Sequence, residues 1–348
     1  MDFTFESLVE DEPGTKWQSK FDRYWPGYRR WFLRFGEADR PTYYESERAL
    51  KRHMPEFIPV FESMVDLAGG GDHAARFLSQ YCPPPLFRGC SQAIYRENEA
   101  LMVRSYDYSP YVFDGLIMET RFDQRRVVGM LDCMSGVLDG MNIDGLAVSM
   151  SFGGREEFGQ GFGVSLILRY LLECAGDVAE ASRLLQKIPV HGSYNIMLLD
   201  AADNSATIAV SANREPQHLH SSVSTNHQPG SSWPLYEEKV FTHERYDHLS
   251  RLIGTPGRSN FQFSREFLQA PLYHHQFGKG FGTLYNAAFC PKSGVCEYFW
   301  PDNSWVYDFS GQADRIFHTQ FIDSEGFPEQ VQSYDDIYTG NPLPIMQS

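Results

Sequence analysis

Two helix signals stand back to back between long runs of strand-patterned sequence, and this constrains the fold more than any other feature. In residues 163–175, Leu166, Leu168, Leu171 and Leu172 form an apolar surface. Gly176 ends that helix, and Asp177, an N-cap residue by type, starts a second one through Leu185. Before the pair come strand patterns at residues 91–95, 100–106, 127–134 and 145–152. After it come residues 194–199, 206–211, 283–289, 295–300 and 305–309. Strands that alternate with helices make parallel βαβ units. A single helix pair between blocks of strands predicts instead an α+β sandwich of layers.

The front of the chain reads as helical. Residues 17–35 are rich in aromatics and arginine and predict an amphipathic helix broken at Pro26. Residues 42–67 predict a long helix, with Tyr43, Leu50, Met54, Phe57 and Val60 near helical spacing, kinked or split at Pro55 and Pro59. Gly69-Gly70-Gly71 breaks the pattern, Asp72 is expected to cap a short helix through Gln80, and Pro83-Pro84-Pro85 stops regular structure. Arg96-Glu97-Asn98-Glu99 predicts a hairpin turn. Gly159-Gln160-Gly161-Phe162-Gly163 lacks the preceding strand and acidic partner of a dinucleotide fingerprint and reads as a close helix-to-sheet packing point.

Composition removes several function classes. The chain has 348 residues, 42% of them hydrophobic and 15% aromatic, which is enough for a large core. A net charge of -15 and a pI near 5.2 argue against nucleic-acid binding, which needs clustered Lys and Arg. There is no apolar run long enough for a membrane span and no secretory-signal pattern, so a cytoplasmic location is expected. The six cysteines, Cys82, Cys90, Cys133, Cys174, Cys290 and Cys296, form no CxxC pair, so neither a disulfide scaffold nor a zinc ribbon fits. Cys290 and Cys296 are read as reduced thiols flanking a turn at residues 291–294. His218, His220, His243, His248, His274 and His275 match no metal-ligand spacing.

One stretch combines groups that can do chemistry. Arg88-Gly89-Cys90-Ser91-Gln92-Ala93 opens the first strand of the hairpin, and Leu101-Met102-Val103-Arg104-Ser105-Tyr106-Asp107-Tyr108 forms the second. Residues three apart on a regular strand face opposite sides, so Arg104 and Asp107 share a site only if the strand ends or bulges near Ser105 or Tyr106. Alone, a Gly-Cys pair is common and Arg-x-x-Asp is ordinarily a surface pair. Further along stand residues 140–146, residues 195–200, Thr225-Asn226-His227 and His243-Glu244-Arg245-Tyr246. Asn142 and Asn195 are read as structural, and His227 as a loop residue.

In this order, these residues resemble the N-terminal nucleophile hydrolases. More narrowly, they resemble the acyl-coenzyme A:6-aminopenicillanate acyltransferase branch, a distant relative of the choloylglycine hydrolases and acid ceramidase. The resemblance runs from about Gly89 to about Ser310 and takes in the helix pair. It implies a four-layer αββα sandwich with an N-terminal helical prosegment. It also implies autocatalytic cleavage between Gly89 and Cys90, dividing the chain into a helical segment, residues 1–89, and an Ntn-hydrolase domain, residues 90–348. The resemblance makes Cys90 the nucleophile, with its freed α-amine, of ordinary pKa about 7.7–8.0, as base. Arg104 is the cation beside the thiol. Asp107 holds the new amine, the Asn226 amide donates to the oxyanion, and Arg245 steadies the site electrostatically.

The implied activity is that of a cysteine amidohydrolase or acyltransferase acting on a linear amide, activated from a zymogen. Its partners are a small-molecule amide or an acyl donor such as acyl-coenzyme A, and its own N-terminal segment retained as an α chain. No resident cofactor or metal is implied, and an oligomer is compatible with the sequence. Two departures tell against bile salts as substrates. Ser91 stands where those hydrolases carry threonine, and residues 149–152 offer no second oxyanion asparagine. Two rivals remain: a catalytically silent Ntn-fold binding or assembly protein, and a papain-type hydrolase, which needs a cysteine that opens a helix.

Overall fold

The computed structural model describes residues 1–86, 89–121, 125–231, 233–279, 281–311 and 313–323; Arg88, quoted with the nucleophile motif, and the C-terminal stretch from residue 324 lie outside them. The chain opens with a strand that sequence patterning did not reveal, β1 (Asp2–Glu10), on which Phe3 and Phe5 are buried. Four helices follow: α1 (Thr15–Phe32), α2 (Tyr43–His53), α3 (Ile58–Leu67) and α4 (Asp72–Leu78). Pro26 does not break α1 but lies inside it. The lost backbone bond costs about 3 kcal/mol. The buried face of Trp17, Phe21, Tyr24, Tyr28, Trp31 and Phe32 outweighs it, at about 1.5–3 kcal/mol per large side chain. The second helical stretch splits at Pro55, as its sequence suggests. Asp72 is not a cap: Gly71 holds that position without a side-chain bond, and the Asp72 carboxylate pairs with Arg76 at 3.1 Å.

The hairpin is β2 (Gly89–Arg96) and β3 (Ala100–Tyr108), followed by β4 (Leu116–Thr120), β5 (Val127–Asp132), β6 (Gly136–Asn142) and β7 (Ala147–Phe152). The helix pair is α5 (Val164–Cys174) and α6 (Val178–Leu185), with the Asp177 side chain accepting the Glu180 N–H as expected of an N-cap. Next come β8 (Ser193–Leu199), β9 (Ser205–Ser211), β10 (Gln217–Leu219) and β11 (Val223–Ser224). Three helices that the sequence reading missed follow: α7 (Pro234–Lys239), α8 (Thr242–Ile253) and α9 (Asn260–Arg265). The chain then returns to strands: β12 (His275–Gln276), β13 (Phe281–Cys290), β14 (Val295–Phe299), β15 (Ser304–Tyr307) and β16 (Arg315–Gln320).

These strands build two sheets. One has nine strands in the order β10-β9-β8-β7-β6-β5-β4-β1-β16; the other has seven, β11-β2-β3-β13-β14-β15 with β12 on β13. β1 joins β4 in parallel and β16 in antiparallel sense, so the first strand of the chain is an interior strand of the larger sheet. On the outer face of the nine-stranded sheet lies α5. Gly136 lets it approach, because a β-carbon there would run into the helix backbone, 2.6 Å from the Leu166 nitrogen. The front-end helices meet α5 through the Arg169 guanidinium, 5.4 Å from the centre of the Phe57 ring, and through the Tyr170 hydroxyl, which donates to Glu56. The outer face of the seven-stranded sheet is covered by Leu249, Leu252, Phe263 and Phe267 from α8, α9 and the turn beyond, packed on Ala93, Tyr95, Val103 and Phe299. Helix, sheet, sheet, helix is the four-layer α+β sandwich of the Ntn hydrolases.

Smaller expectations also find their place. Asn142 is structural: its amide donates to the Leu172 and Ala175 carbonyls at 2.9 and 2.7 Å, closing the end of α5 onto β6. The glycine-rich run is a packing point, with a β-carbon at Gly161 only 2.6 Å from the Val190 carbonyl oxygen. It packs against that neighbouring segment rather than bringing a helix onto a sheet. None of the six cysteines forms a disulfide, and the 291–294 turn separates Cys290 and Cys296. Among the described residues, no helix is long and apolar enough to cross a membrane.

Candidate active site

The β2–β3 ladder sets the geometry. Gly89 lies opposite Asp107, Cys90 opposite Tyr106, Ser91 opposite Ser105 and Gln92 opposite Arg104. Directly opposed residues share a face, and the faces alternate along each strand. Cys90 and Arg104 therefore point into the space between the two sheets. Ser91 and Asp107 point to the helical layer that carries α8. The strand neither ends nor bulges at Ser105 or Tyr106, so the condition set by the Arg-x-x-Asp spacing is not met on β3. The register shift falls on the neighbouring β13, between Thr283 and Tyr285. Arg104 and Asp107 instead flank Cys90 from opposite faces of the sheet.

On the inner face, Arg104 Nη2 donates to the Cys90 sulfur at 3.0 Å. Both residues are fully buried. Burial pulls the Arg104 pKa down. The Tyr285 hydroxyl, the Cys90 thiol and Asp139 outweigh that pull and raise it above the ordinary arginine value, so the cation is secure.

On the outer face, Arg245 from α8 gathers the remaining groups. Its Nη1 donates to the Cys90 carbonyl at 2.7 Å and to Ser91 Oγ at 2.6 Å, and lies 3.4 Å from Asp107 Oδ2. Its Nη2 donates to Asn226 Oδ1 at 2.6 Å. The same Asn226 oxygen accepts the Cys90 backbone N–H at 3.0 Å, while Asn226 Nδ2 donates to the Phe152 carbonyl at 3.3 Å. The other Asp107 oxygen accepts from the Thr283 hydroxyl at 2.7 Å. Burial raises the Asp107 carboxyl, opposed by Arg245, the Thr283 hydroxyl and Arg104. Burial likewise lowers the Arg245 guanidinium, opposed by Asp107.

The structure thus brings Cys90, Arg104, Asp107, Asn226 and Arg245 together, although they lie on two strands, a loop and a helix. Of their supports, the sequence reads Asn195 as structural and does not single out Thr242, Asp139, Tyr285 and Tyr298. Asn195 Nδ2 bonds the carbonyls of Thr225 and His227 at 3.1 and 3.0 Å, so its structural role is to fix the loop that presents Asn226. Thr242, the first residue of α8, accepts the Asn226 N–H at 2.8 Å. Asp139 and Tyr285 bond Arg104, and Tyr298 donates to Asp139 behind it. For Asp139 a signal existed, an acid within the apolar run Val137-Leu138-Asp139-Gly140-Met141. Just past residues 149–152, the backbone N–H of Gly153 bonds the Ser193 carbonyl at 2.8 Å.

A two-sheet sandwich with a cysteine at the head of an inner strand, an arginine at its sulfur and an asparagine at its amide has the arrangement of an N-terminal nucleophile hydrolase. Residues 94–305 match the family described as acyl-coenzyme A:6-aminopenicillanic acid acyl-transferase. The match covers more than half of the chain, begins just after Cys90 and includes Arg104, Asp107, Asn226 and Arg245. The chain belongs to this family and is an enzyme of amide cleavage or acyl transfer.

Solved structures similar to it include a conjugated bile acid hydrolase variant from Clostridium perfringens, at 11% identity and a TM-score of 0.43, covering 68% of this chain and 98% of that one. Penicillin V acylase from Agrobacterium tumefaciens is similar at 14% identity and a TM-score of 0.42, covering 68% and 89%. The Caenorhabditis elegans ortholog of N-acylethanolamine-hydrolyzing acid amidase is similar at 13% identity and a TM-score of 0.42, covering 63% and 100%. A search of curated proteins returned no match.

Proposed function

We propose that the chain cuts itself between Gly89 and Cys90 and then works as a cysteine amidohydrolase or acyltransferase. In maturation the Cys90 sulfur attacks the Gly89 carbonyl. The C–N bond breaks, the Cys90 nitrogen takes a proton to become a free amine, and water hydrolyses the thioester to a Gly89 carboxylate. Residues 1–89 become an α chain and residues 90–348 a β chain. In catalysis the Cys90 amine takes the thiol proton. The acyl group of a linear amide passes to sulfur, the protonated amine leaves, and the thioester is resolved by water or by an acceptor amine. Arg104 stabilises the thiolate, Asp107 and Arg245 hold the cut end, and Asn226 serves the oxyanion. The groups that act are a thiol, an amine and fixed donors, so no resident cofactor is called for. Acyl-coenzyme A is an acyl donor in the transfer direction.

The observation that carries this reading is the 3.0 Å contact of Arg104 with the Cys90 sulfur at the head of β2. A cation on a buried thiol serves thiolate chemistry. Retention of the α chain is supported by β1, hydrogen-bonded on both sides within the nine-stranded sheet. A cytoplasmic location goes with the reading, in keeping with six cysteines that form no disulfide.

The test is the denaturing mass of purified protein, wild type beside Cys90→Ala. Two fragments from a break between Gly89 and Cys90, absent in the variant, support the reading. Intact chain in both would move the silent binding or assembly protein to the front. A variant that still cuts itself would remove Cys90 from the nucleophile role.

A further inference from the structure

Arg104 is held at one end only. Its Nη1 donates to Asp139 Oδ2 at 2.5 Å and to the Leu138 carbonyl at 2.8 Å, and lies 3.3 Å from the Tyr285 hydroxyl. Its Nη2 meets the Cys90 sulfur, and its Nε has no hydrogen-bond partner among the described residues. The guanidinium carbon stands 5.0 Å from the centre of the Tyr106 ring. The shorter restraints on the side chain therefore come from β6, in the sheet opposite the one that carries Arg104, with Tyr285 of its own sheet beside them.

Asp139 is saturated by the facing sheet. Oδ2 also accepts the Tyr285 hydroxyl at 2.5 Å, and Oδ1 accepts the Tyr298 hydroxyl at 2.9 Å. Its three side-chain donors come from β3, β13 and β14. Burial, with Asp139 adding to it, keeps both phenols far above their ordinary pKa, so they remain donors. A fully buried ion pair between sheets is a poor source of stability, because desolvation consumes most of the Coulomb gain. Its geometric effect is definite. Three strands orient the carboxylate, and the carboxylate orients the guanidinium with Nη2 on sulfur.

We propose that Asp139, fixed by Tyr285 and Tyr298, is a positioning residue that aims Arg104 at the Cys90 sulfur and offsets part of its charge there. The inference rests on the reading of Cys90 as nucleophile. The charged and titratable groups around this assembly are Arg104 and Arg245 near Cys90, Asp107 across the sheet, Tyr106, Tyr285 and Tyr298 around Arg104 and Asp139, and the Cys296 thiol beside Asp139.

Asp139→Asn keeps an acceptor for Arg104 and removes the negative charge. The uncompensated cation then favours the thiolate more strongly. Tyr298→Phe leaves the charge and frees Oδ1, loosening the carboxylate. The experiment uses wild type, these two variants and Cys90→Ala. Denaturing mass spectrometry follows the rate of self-cleavage. The pH dependence of iodoacetamide alkylation is read on the Cys90 peptide.

For Asp139→Asn, the alkylation midpoint should move at least half a pH unit downward. For Tyr298→Phe, self-cleavage should slow about 3–10-fold with the midpoint held. A folded Asp139→Asn protein with an unmoved midpoint overturns the proposal, and so does Tyr298→Phe cutting at the wild-type rate. If Asp139→Asn does not fold, Tyr298→Phe decides alone. A purely packing role would lower stability without moving the midpoint. Cys90→Ala separates the two readings: continued self-cleavage in that variant overturns the nucleophile assignment on which the inference rests, whereas abolished self-cleavage together with an unmoved Asp139→Asn midpoint overturns the Asp139 device alone.

Discussion

The ring of Phe281 occupies the space that a side chain on residue 89 would need. A β-carbon built on Gly89 runs into the Phe281 ring and stands 3.0 Å from Asp107 Cβ, its partner across the ladder. Glycine before the nucleophile is thus a matter of room on the face that carries Asp107. Gly89→Val should displace the head of β2 and slow self-cleavage at least tenfold, with a smaller loss for Gly89→Ala. A time course of intact mass from freshly made protein checks this, and wild-type kinetics in the valine variant would contradict it.

Arg245 ties the outer face together. Its replacement by alanine leaves the buried Asp107 without its cation and takes one donor from Asn226 Oδ1, which keeps the Cys90 N–H. Removing one partner of such a pair typically costs about 3–5 kcal/mol. Urea denaturation of Arg245→Ala should show a loss of that order, and self-cleavage should stop. Arg245→Lys restores charge but not the fork that reaches Cys90, Ser91 and Asn226 together, so it should recover stability more than activity.

Asn226→Ala tests the oxyanion assignment. It removes the Nδ2 donor and the Oδ1 acceptor of the Cys90 N–H. Loss of one oxyanion donor costs about 10²–10³ in turnover. Turnover of an acyl anilide by the cleaved enzyme should fall by about that factor with KM little changed. A rise confined to KM would assign Asn226 to substrate binding instead.

After cleavage the two chains should stay together. β1 pairs with β4 and β16, and α1 buries Trp17, Phe21 and Tyr28. Native mass or gel filtration should give one species containing both fragments, and the fragments should separate only in denaturant. Release of residues 1–89 without denaturant would contradict the integral place of β1.

Acid should weaken the fold through its half-buried histidines. Burial, with Arg245 and His275 nearby, lowers His274 to about 3, and burial also lowers His227 and His191. Below an unfolded value of about 6.5, the unfolded chain takes up these protons first. Their contribution to stability is complete above that value and is lost as pH falls toward the folded pKa. The slope is at most about 1.4 kcal/mol per pH unit for each group. The urea midpoint should drop between pH 7.5 and pH 5, and His274→Phe should drop less. An equal drop in the variant would remove His274 from this account.

Sequence alone determined the local elements: the helix pair with its Asp177 cap, the β2–β3 hairpin, the strands on either side and the split at Pro55. Each is set by residues within a few positions of one another, through alternation, capping or proline. The Gly-Cys, Arg-x-x-Asp and Thr-Asn-His groups were legible for the same reason, as short strings. Tertiary structure decided the rest. β1 is a strand because β4 and β16 supply its hydrogen bonds from more than a hundred residues away. Pro26 lies inside a helix because burial of an aromatic face exceeds the cost of one lost bond. Asp107 faces away from Arg104 because β3 runs on without a break. It joins the site only through Arg245, 138 residues along the chain. Asp139 gained its place opposite Arg104 only when two sheets closed face to face. Packing across layers is long-range and summed over many contacts, so no local window of sequence carries it.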